Sequence, residues 1–177
     1  MGKTKETTIK TGTMYREMAV MDDGINVEAR TVRLSFSSDI PVPREFGREI
    51  LDHSPSSVRL DRLRNAGPLL DTHYGDQIGV VESVDLVDGR AEAVVRFSKS
   101  TRASEMFQDV VDKIRRNVSV GYHVYKAVLE KQDRALGDLF RAIDWEPHEI
   151  SMQPVAADVS IGVGRATEDQ IDTRIIS

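Results

Sequence analysis

Three short segments hold the residues whose types could do chemistry. The first is Pro68-Leu69-Leu70-Asp71-Thr72-His73, followed by Ile78-Gly79-Val80-Val81. The second is Asn117-Val118-Ser119-Val120-Gly121-Tyr122, and the third is Trp145-Glu146-Pro147-His148-Glu149-Ile150-Ser151. They supply a serine, a histidine and an acid, the parts of a serine–histidine–acid hydrolase. A serine hydroxyl is a poor nucleophile at neutral pH unless a base takes its proton. Histidine is the usual base, and a third group fixes the imidazole.

Each residue also has a plainer reading. Ser119 sits in a strand-like run where Val118 and Val120 would face the core and Ser119, Gly121 and His123 the other side. A serine there is most often a surface residue. Gly121 leaves room beside it for backbone or substrate. His73 has no helical metal-ligand spacing to a partner. Asp71 and Asp76 lie close by, so a carboxylate–histidine pair or a weak metal site is conceivable, and Asp76 also reads as a turn residue. His148 and Glu149 are adjacent, so on a regular strand they face opposite sides and only one reaches a given site. Arg141 could stabilise an oxyanion, although a solvated strand residue is the simpler reading. Trp145 reads as packing, and His53 as a loop residue.

Composition removes several classes of function. The chain has 177 residues, enough for one domain with a real core. Lys plus Arg total 24 and Asp plus Glu 29, a net charge of -5, which argues against a general nucleic-acid binder. There is no cysteine, so disulfides, thiolate metal sites and a cysteine nucleophile are excluded. No run of about 18 apolar residues could span a membrane. The polar start lacks the apolar core of a signal peptide. Nothing calls for a cofactor or a resident metal.

The elements that would position these residues are mostly strands. Met14 to Val20 could be a first strand. Residues 27–36 alternate, with Val32, Leu34 and Phe36 on one face. Residues 44–52 read as a short helix with Phe46, Ile50 and Leu51 on one side. Ile78 to Val87 and Arg90 to Phe97 flank Asp88-Gly89, a type I′ hairpin signal. Residues 101–116 form the clearest helix, with Met106, Phe107, Val110, Val111 and Ile114 at helical spacing and Ser100 or Thr101 as cap. Strand 118–125 follows, then a charged loop over 130–138, then one or two strands from Phe140 to Met152, interrupted at Pro147. The expected division is a flexible N-terminus at 1–12, one domain at 13–163, and a polar tail at 164–177 that is a linker or disordered. The fold class is mainly β or α+β, an antiparallel, barrel-like sheet with a few helices outside.

The ordered set resembles a known family. Leu70, His73 and Ile78-Gly79-Val80 precede a hairpin and a helix. Ser119-Val120-Gly121-Tyr122, Trp145, Glu149-Ile150-Ser151 and Pro154 follow. Over roughly residues 27–160 this is similar to the prohead serine proteases of tailed bacteriophages, capsid maturation enzymes that share the herpesvirus assemblin fold. The resemblance implies Ser119 as nucleophile, His73 as general base and Glu149 as the orienting group, with His148 as the alternative third member. It also implies a herpesvirus-protease-like barrel and homodimers. The implied substrates are the major capsid protein with its scaffolding segment, and the protease itself. The implied place is the procapsid in the host bacterial cytoplasm, with no nucleic-acid or membrane partner. The family's histidine is often followed directly by Asp or Asn, whereas Tyr74-Gly75 intervenes here.

Two other readings stand beside this one. The chain could be a catalytically inactive β-barrel module that binds capsid or scaffold. It could instead be a metal-dependent hydrolase using His73, Asp71, Asp76 and His148.

Overall fold

The computed structural model describes residues 6–154 and 171–176. Among the described residues eleven strands and two helices follow the order β1 (Glu6–Thr11), β2 (Met14–Asn26), β3 (Thr31–Ser38), β4 (Val42–Arg44), β5 (Gly47–Leu51), α1 (Asp61–Arg64), β6 (Pro68–Leu70), β7 (Gln77–Val87), β8 (Arg90–Phe97), α2 (Thr101–Val111), β9 (Asn117–Lys131), β10 (Leu139–Gln153) and β11 (Ile171–Ile176).

The strands form one sheet in the order β1-β11-β9-β2-β3-β8-β7-β6-β10-β5-β4, and β9 also pairs with β10. That extra pairing closes a ring through β9, β2, β3, β8, β7, β6 and β10. The fold is therefore β-rich with a barrel-like body. The expected antiparallel arrangement holds for most neighbours, but β10 runs parallel to both β5 and β6, and β11 runs parallel to β9. The closing seam is the longest pairing, from Leu139 opposite Lys131 to Gln153 opposite Asn117. Val32, Leu34, Phe36, Val95, Phe97, Val118, Val120, Trp145 and Ile150 lie in the buried cluster.

Local chemistry accounts for the clearest elements. Asp88 (φ 47) and Gly89 (φ 73) both take the left-handed backbone that a two-residue I′ turn requires. Ser100 caps α2 by accepting from the Ala103 amide, and the helix buries Ala103, Met106, Phe107 and Val110. It ends earlier than its periodicity predicts, because Lys113 adopts φ 61. Ile114 then lies outside the helix and is exposed.

The helix expected over 44–52 is absent. Those residues form the end of β4 and all of β5, joined by a turn at Glu45-Phe46, after which Gly47 opens β5 with φ 135. Ile50 and Leu51 are buried because β5 adds in parallel to β10, so a long-range pairing overrides local helical spacing. Pro147 does not split the last long strand; β10 carries a register shift there instead. Residues 6–11, expected to be frayed, form β1. Residues 171–176 of the expected polar tail form β11, which pairs with both β1 and β9. The weakly apolar stretch expected at 155–163 lies outside the described residues.

Candidate functional site

The seam between β9 and β10 gathers most of the expected site residues. His73 lies in the turn after β6, and β6 pairs with Ile150 and Ser151 of β10. Asp71 and Asp76 close that turn through an amide-to-carbonyl bond of 2.9 Å. The turn sets the His73 ring against Tyr15 of β2, with ring centroids 3.8 Å apart. His73 Nδ1 meets Glu149 Oε1 at 2.6 Å and Ser151 Oγ at 3.1 Å. Gln153 Nε2 donates to the same Ser151 hydroxyl at 2.9 Å. Tyr15 reaches Tyr74 by a hydroxyl pair at 3.0 Å. Burial, the Tyr74 contact and the nearby Glu149 charge all hold the Tyr15 phenol well above its ordinary pKa.

Ser119 is placed differently from a nucleophile. It faces Ser151 across the seam and Glu17 across the β2 ladder, and it is 0% exposed. Its hydroxyl donates to the Arg16 carbonyl at 3.1 Å. A buried hydroxyl with a satisfied backbone bond is a structural tie between strands, and solvent does not reach it.

His148 and Glu149 correct the regular-strand expectation. The register shift between Pro147 and Glu149 is a bulge, and a bulge re-aims the side chains that follow it. Both residues consequently lean over Gly121. A Cβ added at Gly121 would stand 2.5 Å from Glu149 Oε1 and 2.9 Å from His148 Nε2. His148 also stacks on His123 of β9, with centroids 4.8 Å apart. The imidazoles of His73, His123 and His148 therefore gather near the Glu149 carboxylate along the seam. Burial first, then the neighbouring His123, Arg62 and His73, push the His148 pKa down to about 4.

Gly121 is needed for this crowding. Gly121→Ala is expected to displace the Glu149 carboxylate from His73 and to cost about 1–3 kcal/mol, the usual penalty of overpacking. Urea unfolding beside the parent measures it. A loss below roughly 0.5 kcal/mol would mean that the two side chains give way freely.

The remaining expected residues sit elsewhere. Arg141 lies near the start of β10 and forks onto Glu130. It is roughly 25 Å along the strand from Glu149 at ~3.3 Å per residue, so it is no oxyanion helper for this site. Asp71 is held by Arg102 and Arg115 rather than by His73. Among the described residues no three His, Asp or Glu side chains converge as a metal-ligand set. His53 bonds the Ser37 hydroxyl at 2.9 Å.

One cluster was invisible in sequence. Arg16 (β2), Arg44 (β4), Glu49 (β5) and Tyr122 (β9) meet inside the protein. Glu49 Oε1 accepts from Arg16 at 3.2 Å, from Arg44 at 3.3 Å and from the Tyr122 hydroxyl. Burial and the Glu49 charge push the Tyr122 phenol up to about 12. No local pattern marks these residues, because their partners lie tens of positions away. Only Tyr122, within the Ser119 segment, belongs to a stretch that residue type marks for chemistry.

The chain is 48% identical over 147 residues to the major capsid protein of Halomonas phage phiHAP-1. The match covers 79% of this chain, and the chain spans about a quarter (24%) of that protein's length. No family model matches the chain, and no solved structure matches it. Of the expected phage capsid maturation family, the coarse part stands: the chain is similar to a bacteriophage capsid-related protein. The expected kinship with capsid proteases does not: a capsid protein, and no protease, carries the similarity. That finding overturns the serine endopeptidase reading, and the buried, backbone-bonded Ser119 agrees with the correction. Among the described residues no helix is long and apolar enough to cross a membrane.

Proposed function

We propose that this chain is a non-catalytic structural module of a phage capsid, working in shell assembly within the phage particle. The observation that carries this reading is the 48% identity to a phage major capsid protein over most of the chain. It takes up the alternative of an inactive β-barrel that binds capsid or scaffold. Its partners are capsid polypeptides, and no cleavage step is part of the reading.

The seam residues have a place in it as ties. Glu149 fastens the His73 turn to β10, and Ser119 fastens β9 to the Arg16 carbonyl of β2. A shell component carries load between neighbours, so a barrel whose closing strands are cross-linked by buried hydrogen bonds suits the task.

The test uses the chain together with the coat polypeptide of its phage. Shells are separated on a gradient, and the chain is expected to travel with them. Ser119→Ala is expected to travel equally well, at a stability cost of about 1 kcal/mol for the lost hydrogen bond. Intact mass after treatment with a fluorophosphonate is expected to be unchanged. Shells that form and leave the chain behind would overturn the reading. So would a probe adduct on the parent that disappears in Ser119→Ala.

A further inference from the structure

The two ends of the sheet are built differently. At one end β4 is only Val42–Arg44, with Pro43 at its centre. Proline offers no amide to a new strand, and so short an edge is poorly suited to pairing. At the other end β1 runs for six residues, Glu6-Thr7-Thr8-Ile9-Lys10-Thr11, with no proline. Its inner side pairs with β11, and no described strand lies on its outer side.

β11 joins β1 to the barrel, with Arg174, Ile175 and Ile176 paired to Lys126, Ala127 and Val128 of β9. Thr11 bonds Thr173 at 2.6 Å and both are buried. Glu6, Thr7, Thr8 and Lys10 are exposed. An exposed edge strand with unpaired amides and carbonyls is a template for a further strand.

We infer that β1 is an interaction edge for a second copy of this chain, joined antiparallel about Thr8. The charge pattern selects that occupant. In an antiparallel pairing centred on Thr8, Glu6 faces Lys10 of the other copy, Thr7 faces Ile9, and Thr8 faces Thr8. Glu6, Thr8 and Lys10 share one face by alternation. Both ends of the junction therefore bring opposite charges together, whereas a shift of register or a parallel pairing breaks the match. Within each copy Lys10 already lies against Asp172 at 2.5 Å, and Arg174 lies 3.7 Å from Glu6. The new neighbours extend that alternation of sign across the two-fold axis. The product is an isologous dimer in which one sheet continues through β11, β1, and then β1 and β11 of the other copy. The junction is small and its charges exposed, so it strengthens with protein concentration and weakens with salt. This goes beyond the capsid reading, and its test needs no shells, so either can fail alone.

The test is sedimentation equilibrium of the 177-residue chain with two charge variants, Lys10→Glu and Glu6→Lys. The parent is expected to dimerise reversibly. Each variant alone places like charges at both ends of the junction and is expected to be monomeric. Mixing the two variants restores opposite charges at both ends, and a mixed dimer is expected. A parent that stays monomeric at every concentration overturns the inference, as does a parent dimer that neither variant weakens, or a mixture that stays monomeric. A second readout does not depend on the charges. The chain has no cysteine, so Thr8→Cys and Thr7→Cys each introduce one. Mild oxidation is expected to join Thr8→Cys into a dimer far faster than Thr7→Cys. Equal rates, or no cross-link in either, would overturn the register.

Discussion

Glu49→Ala is expected to destabilise the protein by about 3–5 kcal/mol, the cost of leaving buried charge without its partner. The Arg16 side chain is 2% exposed and that of Glu49 3%. The Arg44 side chain is 11% exposed. Two guanidiniums share one carboxylate, and the surplus positive charge is spread over backbone oxygens. Arg16 donates to the carbonyls of Ser38, Ile40 and Glu49, and Arg44 donates to that of Tyr15. Carbonyl dipoles soften a charge without cancelling it. With the carboxylate gone, two cations stand together in the interior, and water must enter or the strands must part.

The same cluster binds β4 and β5 to the barrel, since its members come from β2, β4, β5 and β9. The loss should therefore show as local opening of the β4–β5 hairpin as well as a lower midpoint. Against a total of about 5–15 kcal/mol this is a large share of the stability. For a chain of this size it lowers the melting temperature by on the order of 10 °C. Urea unfolding of Glu49→Ala, Glu49→Gln and Tyr122→Phe separates the causes. Glu49→Gln keeps the shape and drops the charge, so it should fall between the others. Tyr122→Phe removes one hydroxyl, at about 1 kcal/mol. Equal costs for Glu49→Ala and Tyr122→Phe would mean that the guanidiniums are hydrated in the folded protein.

What could be read from sequence divides along the same line, between local and long-range causes. The β7–β8 hairpin was legible because Asp88-Gly89 dictates its own turn, and α2 because Ser100 and a periodic face act within a few residues. The strand at Val32, Leu34 and Phe36 was legible from alternation alone. The β4–β5 hairpin was not, since Phe46, Ile50 and Leu51 mimic a helix face and only the parallel contact with β10 decides otherwise. The site shows the same limit. His73 and Glu149 could be named by type, and they do meet. The bulge after Pro147, which turns His148 to the same side, leaves no mark in residue type. Ser119 could be picked out, but its commitment to the Arg16 carbonyl depends on β2, a strand about a hundred residues earlier. Residue order alone suggested hydrolysis, and the hydroxyl's surroundings and the capsid relative speak against it.

The second large effect belongs to His148 and appears on acidification. Its ring is packed against His123 and near Arg62, His73 and Glu149, and its Nδ1 is buried without a hydrogen-bond partner. The fold holds it neutral, with a pKa of about 4 against 6.5 for the free side chain. Between those two values the unfolded chain carries a proton that the folded chain lacks. Stability must then fall as pH drops from about 6.5 towards 4, and His148 takes nothing from it above that window. A gap of that size corresponds to roughly 3 kcal/mol once the window has been crossed. Glu149 is bonded through Oε1 to His73, and besides burial the groups that act on His148 are His123, Arg62 and His73, all of which disfavour a further proton. His148→Leu removes the titrating group and also the buried nitrogen that lacks a partner. It should match or exceed the parent at neutral pH and pull ahead by about 3 kcal/mol towards pH 4. Unfolding free energies of both proteins across that range provide the check, and the difference between them cancels the carboxylates common to both. Parallel pH profiles would show that the ring takes up its proton inside the fold at little cost. The His123–His148 stack would then have to open locally, well before the barrel does.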